Sequence, residues 1–470
     1  MIKSMSLSQV ASVVDGELVD VVSASLLVSG VSIDTRTLTS GDLFIAIKGP
    51  RFDGHNYLAQ AADSGAVAAL TEKVCEGSPI PQIVVTDARQ ALGLLGAANR
   101  DAFEGCLVGV TGSCGKTSVK EMLQAIFSEV GSTLATEGNL NNDLGVPLTL
   151  LKINSDHQFA VIEMGTSAPG EIEYIANLGR PNISLITNAA ETHLADLKTV
   201  AGVAQEKGYI LDALSADGIA VLNMDDHFFP QWQARALQPN ERTVVSFSSE
   251  QAAANVFASD ITPNQQGTRF TLHFNDGADN AIRQSVQLAF WGRHQISNAC
   301  CAAAVAMAQG LTLDIVARGL ENARPFQRRG QRFAHESGAV LIDETYNANP
   351  KATLAAVDQL ADCEGIKIMV LGDMLDLGEV SDERHRDVGR YAKAQGVHVF
   401  LSFGASAHLA SDAFGDGHHF AEKSQLVNWL SEYLGTDHSE PVSVMVKGSR
   451  GVNMTEIVQA LTGADEKGEA

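Results

Sequence analysis

Residues 111–118, Thr-Gly-Ser-Cys-Gly-Lys-Thr-Ser, have the types and spacing of a phosphate-binding loop. The apolar run 107–110 precedes them and a helical pattern follows, so they join a predicted strand to a predicted helix. Such a turn directs backbone N–H groups and the positive helix end at one point, where Lys116 adds a charge and Thr117 a hydroxyl for Mg²⁺. The strict pattern requires glycine in place of Val110, and an ordinary strand-to-helix turn is the alternative. The agreement of strand, glycines and helix favours a phosphate site.

Other polar residues follow predicted strands, at the edge of a parallel sheet where ligands collect. Glu163 ends one such run and is a candidate second Mg²⁺ ligand, with a capping or surface glutamate as the alternative. His193 follows the predicted strand 183–187 and is a candidate metal or phosphate contact, although a single loop histidine is more often structural. Residue properties alone predict that Lys207 is exposed. Cys114 is either a reactive thiolate at a helix N-terminus or a spacer whose backbone N–H contacts phosphate.

The pattern of strands and helices predicts an α/β protein of three domains. We expect a small α/β domain over residues 1–83, a central phosphate-binding-loop domain with a parallel sheet over 84–314, and a Rossmann-like domain over 315–470. Pro81 and Pro325 lie near the two predicted limits. The third domain has no GxGxxG sequence, so dinucleotide binding is not indicated there.

The predicted elements are short apolar runs that alternate with helical segments. Strands are predicted at 43–47, 83–85, 159–164, 183–187, 219–223, 340–342, 368–371, 397–403 and 442–446. The alanine-rich run 299–308 predicts a buried helix.

Composition narrows the classes of function. The formal net charge of −23 over 470 residues argues against nucleic acid, but a few converging cations can still bind a phosphorylated small molecule. No apolar run reaches the roughly 18 residues of a membrane span. The six cysteines lack metal-ligand spacing and the first residues lack a hydrophobic signal core, so we expect reduced thiols and a cytoplasmic protein. The charged tail 464–470 is expected to fray.

These motifs together resemble those of the Mur ligase family over nearly the whole chain. The resemblance rests on 111–118 and on five further segments: 138–147 (Gly-Asn-Leu-Asn-Asn-Asp-Leu-Gly-Val-Pro), 163–165 (Glu-Met-Gly), 292–299 (Gly-Arg-His-Gln-Ile-Ser-Asn-Ala), 343–350 (Asp-Glu-Thr-Tyr-Asn-Ala-Asn-Pro) and 371–378 (Leu-Gly-Asp-Met-Leu-Asp-Leu-Gly). Segments 138–147 and 343–350 are similar to those of the members that add D-alanyl-D-alanine. Cys114 departs from the usual Ser or Thr of the family.

The resemblance implies an ATP- and Mg²⁺-dependent ligase of peptidoglycan biosynthesis. ATP would phosphorylate the terminal carboxylate of UDP-N-acetylmuramoyl-tripeptide, and the amine of D-alanyl-D-alanine would displace phosphate from the acyl phosphate to give the pentapeptide. Both substrates are small molecules, and we expect a monomer with no nucleic-acid partner. The alternatives are another Mur-type ligase, such as the one that adds the third residue, a folylpolyglutamate-type ligase, or a nucleotide-dependent switch that does not ligate.

The resemblance also implies roles for residues at the nucleotide. The loop would hold the phosphates through Thr111, Gly112, Ser113, Cys114, Gly115, Lys116, Thr117 and Ser118. Metal would be held by Thr117, Glu163, His193 and Lys207, the last matching the family lysine that becomes N-carboxylated. Asn298 would contact adenine and Asp343 ribose, with a helix N-cap and a strand-end turn as the alternatives. The catalytic arginine is assigned to Arg329, with Arg328 as the rival.

Substrate residues follow from the same resemblance. The first domain would bind the UDP-sugar and the third domain the dipeptide, so the site would be complete only after the domains close. The candidates are Asn141, Asn347 and Asn349 in the two ligase-specific segments, and Asp34, Thr35, Arg36, Asp53 and His55 at the UDP-sugar end. Turn formation is the alternative role for the last five.

Overall fold

The computed structural model describes residues 1–20, 23–238, 242–275 and 282–463, and the predicted frayed tail at 464–470 lies outside them. Among these residues the strands form sheets of nine, six and five strands and one two-stranded ladder. The predicted three-domain α/β architecture is confirmed. No helix within the described ranges has the length and apolar character needed to cross a membrane.

The first domain is a five-stranded sheet between helices. Its elements are β1 (Met5–Ser6), α1 (Leu7–Val14), β2 (Glu17–Val19), β3 (Leu27–Val28), β4 (Gly30–Ser32), β5 (Asp42–Ile45), α2 (Leu58–Asp63), β6 (Ala68–Thr71), β7 (Gln82–Val84) and α3 (Ala88–Asp101). The strand order is β2-β7-β6-β5-β4. Side chains alternate along β5, so Leu43 and Ile45 pack under α1 and α3 while Phe44 packs with α2 on the other face.

The central domain carries the largest sheet. Its elements are β8 (Cys106–Thr111), α4 (Lys116–Ser128), β9 (Thr133–Ala135), α5 (Gly145–Leu151), β10 (Phe159–Glu163), α6 (Glu171–Gly179), β11 (Ile183–Ile186), α7 (Leu194–Leu197), α8 (Val200–Asp212), β12 (Ile219–Asn223), α9 (Phe229–Ala236), β13 (Thr243–Ser248), β14 (Val256–Asn264), β15 (Gly267–Phe274), β16 (Ile282–Leu288), α10 (Arg293–Ala308) and α11 (Leu313–Asn322).

The central sheet has two parts. Strands β9-β10-β8-β11-β12-β13-β14 run parallel, and β15 and β16 extend the same sheet as an antiparallel hairpin. Helices α4, α10 and α11 cover one face and α5, α6, α8 and α9 the other. Because helices cover both faces, residues 107–111 of β8 are all buried, as expected for a central parallel strand.

The third domain is Rossmann-like in outline. Its elements are β17 (Gln331–Ala334), β18 (Val340–Glu344), α12 (Pro350–Ala361), β19 (Ile366–Gly372), α13 (Ser381–Ala394), β20 (Val399–Phe403), α14 (His408–Phe414), β21 (His418–Phe420), α15 (Lys423–Leu434), β22 (Val442–Lys447) and α16 (Thr455–Thr462). The order is β17-β18-β22-β19-β20-β21, and all neighbours except β17 and β18 are parallel.

The exact domain limits remain a prediction. The limit after residue 83 falls within β7, which pairs with β6 and β2 of the first sheet. The limit after residue 314 falls within α11, which packs with α4 against the central sheet. Strand pairing therefore places β7 with the first domain, and helix packing places α11 with the central domain, although the local sequence pattern suggested other limits.

Candidate active site

The phosphate-binding loop connects β8 to α4 in the middle of the central sheet. Its backbone requires glycine at two positions. A Cβ atom on Gly112, where φ is +150°, would lie 1.8 Å from Thr187 Oγ1, and one on Gly115, where φ is +85°, would lie 2.3 Å from Asn298 Oδ1. Neither position has room for a side chain, so both glycines are needed to bring the loop against its neighbours.

Lys116 begins α4 and lies inside the loop. Its Nζ atom donates to the Gly112 carbonyl at 2.7 Å. Burial lowers the pKa of the Lys116 ammonium, while the nearby Glu163 carboxylate opposes this effect. The loop thus holds its cation at the helix N-terminus, where an anion would also meet the positive helix end.

Oxygen ligands suited to a divalent cation lie next to this loop. Thr117 Oγ1 donates to Glu163 Oε2 at 2.9 Å, and Asn141 Nδ2 donates to Glu163 Oε1 at 2.8 Å. The Glu163 backbone N–H donates to Thr136 Oγ1, which fixes the end of β10. A hydroxyl and a carboxylate at this distance are the donor types that Mg²⁺ prefers, so the residues present fit the predicted metal.

A second loop, residues 188–193, follows β11 and contacts the phosphate-binding loop; we call it the bracing loop. The Cys114 backbone N–H donates to Asn188 Oδ1 at 3.0 Å, and Asn188 Nδ2 donates to the Cys114 carbonyl at 3.1 Å. The Ala190 N–H donates to Ser113 Oγ at 3.0 Å. The Cys114 N–H therefore already has Asn188 as a partner, and its contact with phosphate remains a prediction.

His193 and Lys207 lie close enough to each other and to Lys116 for their charges to interact. His193, with φ at +53°, ends the bracing loop and lines the central cavity. Burial lowers its pKa, and the cations of Lys116 and Lys207 lower it further. Lys207 is 2% exposed, so the expectation of an exposed lysine from residue properties alone is wrong. Burial, reinforced by Lys116, lowers the pKa of Lys207 to about 7.

The position of Lys207 on α8 explains its burial. Val203, Ala204, Ile210 and Leu211 are all buried, and they lie three or four residues before or after Lys207. This spacing puts Lys207 on the buried stripe of the helix. The sequence contains this signal, although the charge of a lysine taken alone favours the surface.

The third domain contributes Arg329 to the site. Arg329 Nη2 donates to Thr117 Oγ1 at 3.1 Å, and its guanidinium carbon lies 3.9 Å from the centre of the Tyr346 ring. Its buried Nε atom has no hydrogen-bond partner in the described part of the chain. Arg328 has φ at +62°, and its carbonyl accepts from the Tyr346 N–H. Of the two arginines, Arg329 is thus the one that the structure brings to the phosphate-binding loop.

Two asparagines of the third domain face the same space. Asn349 is the N-cap of α12, and its Oδ1 atom accepts the Ala352 N–H at 2.9 Å. Its Nδ2 atom donates to Cys114 Sγ at 3.2 Å, which joins the third domain to the loop. Asn347 lines the cavity, and its carbonyl accepts from Lys447 Nζ at 3.0 Å.

Most of these groups surround one cavity of about 640 Å³ between the central and third domains, but its lining does not include Thr111, Gly112, Thr117 or Lys207. Among the predicted residues, its lining includes Ser113, Cys114, Gly115, Lys116, Ser118, Asn141, Glu163, His193, Asn298, Arg329, Asn347 and Asn349. Helix α10 has Gly292 at its N-cap, so the alternative reading of Asn298 as an N-cap is wrong. The Asn298 Nδ2 atom instead donates to Gln295 Oε1 at 3.0 Å inside the helix.

Comparison with known proteins shows the family to which this chain belongs. Three family models match: the Mur ligase family catalytic domain over residues 27–100, the Mur ligase middle domain over 110–306, and the Mur ligase glutamate ligase domain over 328–450. UDP-N-acetylmuramoyl-tripeptide--D-alanyl-D-alanine ligase of Escherichia coli is 40% identical over 97% of this chain and 98% of its own. The chain belongs to the Mur ligase family. The predicted enzyme class, a ligase that forms a C–N bond, is thereby confirmed.

Solved structures agree with this Mur ligase fold. MurF from Acinetobacter baumannii superimposes with a TM-score of 0.90 at 32% identity, covering 98% of this chain and all of that chain. MurF from Thermotoga maritima, solved in complex with ADP, gives 0.81 at 25% identity over 92% of this chain and 97% of that chain.

Asp343 does not line the cavity of this Mur ligase. Its Oδ1 atom accepts from the Thr345 N–H at 3.0 Å and from Thr345 Oγ1 at 2.6 Å, which is the geometry of a strand-end turn. Burial raises its pKa. A contact between Asp343 and ribose remains a prediction.

The first-domain candidates also lie apart from the cavity lining. Arg36 pairs with Asp34 through two guanidinium nitrogens, and the Arg36 side chain is 84% exposed. His55 Nδ1 lies 2.6 Å from Asp53 Oδ1. The Thr35 carbonyl accepts from the Ser64 hydroxyl at 3.4 Å. The Asp34–Arg36 and Asp53–His55 contacts are local and fit a role in turns, and recognition of the UDP-sugar by the five residues remains a prediction.

Several residues that line the cavity were not predicted from the sequence. Lys447 ends β22 and is 2% exposed, and its Nζ atom lies 3.4 Å from Glu344 Oε2. His294 and Lys351 also line the cavity. Lys447 could have been found, because it lies at the carboxyl end of a strand of the third sheet, at the edge where Asn347 lies.

Proposed function

We propose that this Mur ligase uses ATP to join D-alanyl-D-alanine to UDP-N-acetylmuramoyl-tripeptide. The observation that carries the proposal is the cavity in which the phosphate-binding loop meets Arg329, Asn347 and Asn349 of the third domain. A site built in this way can hold a nucleotide on one domain and an acceptor amine on the other. The similar ligase of E. coli carries the name of this reaction, and its alignment covers nearly the whole chain.

The chemistry follows from the difficulty of attacking a carboxylate. Its negative charge repels nucleophiles, and oxide is a poor leaving group. The proposed reaction transfers the γ-phosphoryl group of ATP to the carboxylate of the tripeptide, and the dipeptide amine then displaces phosphate through a tetrahedral intermediate. Lys116 and the loop N–H groups hold the nucleotide phosphates, while Arg329 compensates the charge that develops during transfer. The protein mainly aligns reactants and excludes water.

Magnesium would be held by Thr117 and Glu163, with His193 and Lys207 at a second position. When bound, the cation would neutralise phosphate charge. The amine of Lys207 suits the proposed N-carboxylation, because only the neutral amine attacks CO₂ and its pKa is lowered to about 7. Carboxylation would replace the buried amine of Lys207, a cation when protonated, by a carbamate, whose anionic oxygens can bind a metal ion. We propose that the enzyme acts as a monomer in the cytoplasm, where both ATP and UDP-linked precursors are available.

Replacing Arg329 with alanine should reduce the rate of ADP formation about 100-fold, because its guanidinium reaches the phosphate-binding loop. Arg328→Asn is the matched control, since asparagine accepts the positive φ of that position. It should change the rate less than about threefold. Steady-state ADP release by both variants tests the assignment, and the reverse order of effects would transfer the role to Arg328.

The proposed acceptor can be tested by competition between amines. With UDP-N-acetylmuramoyl-tripeptide and ATP supplied, D-alanyl-D-alanine should support phosphate release at least about 100 times better than D-alanine, L-lysine, diaminopimelate or L-glutamate. Preference for a single amino acid would favour another Mur-type or folylpolyglutamate-type ligase. Nucleotide turnover that ignores every amine would favour a switch.

A further inference from the structure

An ion pair joins α13 of the third domain to the bracing loop. Arg384 Nε donates to Glu191 Oε2 at 2.6 Å, and Arg384 Nη2 donates to Glu191 Oε1 at 2.8 Å. Two parallel charge-assisted hydrogen bonds of this kind fix both distance and orientation. The pair therefore sets the position of the Glu191 carboxylate relative to the third domain.

Two features strengthen this contact beyond that of an ordinary surface pair. Arg384 Nη1 also donates to Asp387 Oδ2 at 2.8 Å, so a residue of its own helix holds the guanidinium in place. The side chains of Arg384 and Glu191 are only 33% and 26% exposed. Partial burial reduces screening by salt, and a preset guanidinium loses less entropy when the contact forms.

The neighbours of Glu191 contact the phosphate-binding loop. The Ala190 N–H donates to Ser113 Oγ, and the hydroxyls of Thr192 and Ser113 lie 3.1 Å apart. Asn188 bonds to the backbone of Cys114 on both its N–H and its carbonyl. One short loop therefore contacts the third domain through Glu191 and the phosphate-binding loop through the residues on either side.

The third domain also contacts α7, which directly follows the bracing loop in the chain. A Cβ atom on Gly378 would lie 3.8 Å from the Cα atom of Ala195, so the segment before α13 lies against α7. His193 lies between this contact and the Glu191 pair. The third domain thus supports the chain on both sides of His193.

We propose that Arg384 is a positioning residue that couples docking of the third domain to the order of the phosphate-binding loop, acting through Glu191. Docking places the guanidinium on Glu191 and thereby fixes the bracing loop, which includes His193. The bracing loop in turn contacts Ser113 and Cys114 of the phosphate-binding loop. Separation of the domains removes this support. The kinetic consequence rests on the proposed function, whereas the structural consequence does not.

Hydrogen–deuterium exchange of the full chain tests the structural consequence without any substrate. In Arg384→Ala and in Glu191→Gln, amides of residues 112–116 and 188–193 should exchange about fivefold faster. The double variant should exchange no faster than either single variant, because each residue acts only through the other. Lys393→Ala is the matched control on the same helix, since Lys393 pairs with Asp416 of its own domain, and it should match the unmodified protein.

Kinetics provide the second readout. Arg384→Ala should raise KM for ATP about fivefold with a smaller change in kcat, and Arg384→Lys should be intermediate because lysine keeps the charge without the two-pronged contact. Unchanged exchange in Arg384→Ala, or a double variant whose effect equals the product of the single effects, would overturn the proposal. An absence of ligase activity in the unmodified protein would contradict the proposed function and leave the exchange result to stand.

Discussion

Lys116→Ala is expected to lower ADP formation about 1000-fold. The Lys116 ammonium lies inside the phosphate-binding loop, at 2.7 Å from the Gly112 carbonyl, where the transferred phosphoryl group would pass. A group that stabilises developing negative charge in a water-excluded site commonly contributes two to three orders of magnitude, roughly 10²–10³, to the rate. The rate of ADP release at saturating substrates measures the effect.

Lys152→Ala is the control for this loss. Lys152 is 46% exposed and pairs with Glu137 away from the cavity lining, so the variant should keep the rate of the unmodified protein. Thermal unfolding of both variants shows whether each is folded. Turnover retained by a folded Lys116→Ala protein would remove the phosphate-binding assignment.

Lys207→Ala is expected to lose at least about 100-fold in rate, and a small carboxylate such as formate or acetate should restore part of it by replacing the carbamate. The Lys207 pKa of about 7 also predicts how carboxylation depends on pH. At pH 7 roughly half of this amine is neutral, and this fraction falls as the pH falls, whereas an ordinary lysine is almost wholly protonated. Carboxylation should therefore weaken as the pH drops below 7.

Dissolved CO₂ provides the specific measurement. The unmodified protein should lose activity in CO₂-depleted buffer and regain it with bicarbonate, while the residual activity of Lys207→Ala should not fall when CO₂ is removed. Lys207→Arg should be as inactive as Lys207→Ala, because a guanidinium does not form a carbamate under these conditions. Full activity of Lys207→Arg would show that no carbamate is needed.

The features that could be located from the sequence are those that local chemistry determines, although their roles remain predictions. The phosphate-binding loop could be read from residues 107–118, because strand, glycines and helix start lie together in the chain. Glu163 and His193 followed from the rule that ligands collect at the carboxyl ends of parallel strands, and the structure brings both to the cavity.

What escaped prediction depends on contacts between distant segments. Strands β15 and β16 add an antiparallel hairpin to the edge of the parallel sheet. No local sequence pattern shows whether such a hairpin joins this sheet or forms a separate one. The choice between Arg328 and Arg329 depends on the contact between Arg329 and Thr117, which are 212 positions apart. The Arg384–Glu191 pair joins residues 193 positions apart, so only the docked domains bring it together.

The most direct test of the ligase proposal is the dependence of ATP consumption on the two other substrates. ADP should be measured with UDP-N-acetylmuramoyl-tripeptide alone, with D-alanyl-D-alanine alone and with both, using tripeptides that end in diaminopimelate or in lysine. The proposal predicts sustained ADP formation, matched one to one by pentapeptide, only when both substrates are present. No ADP from the complete mixture with either tripeptide, or equal ADP without the dipeptide, would contradict it.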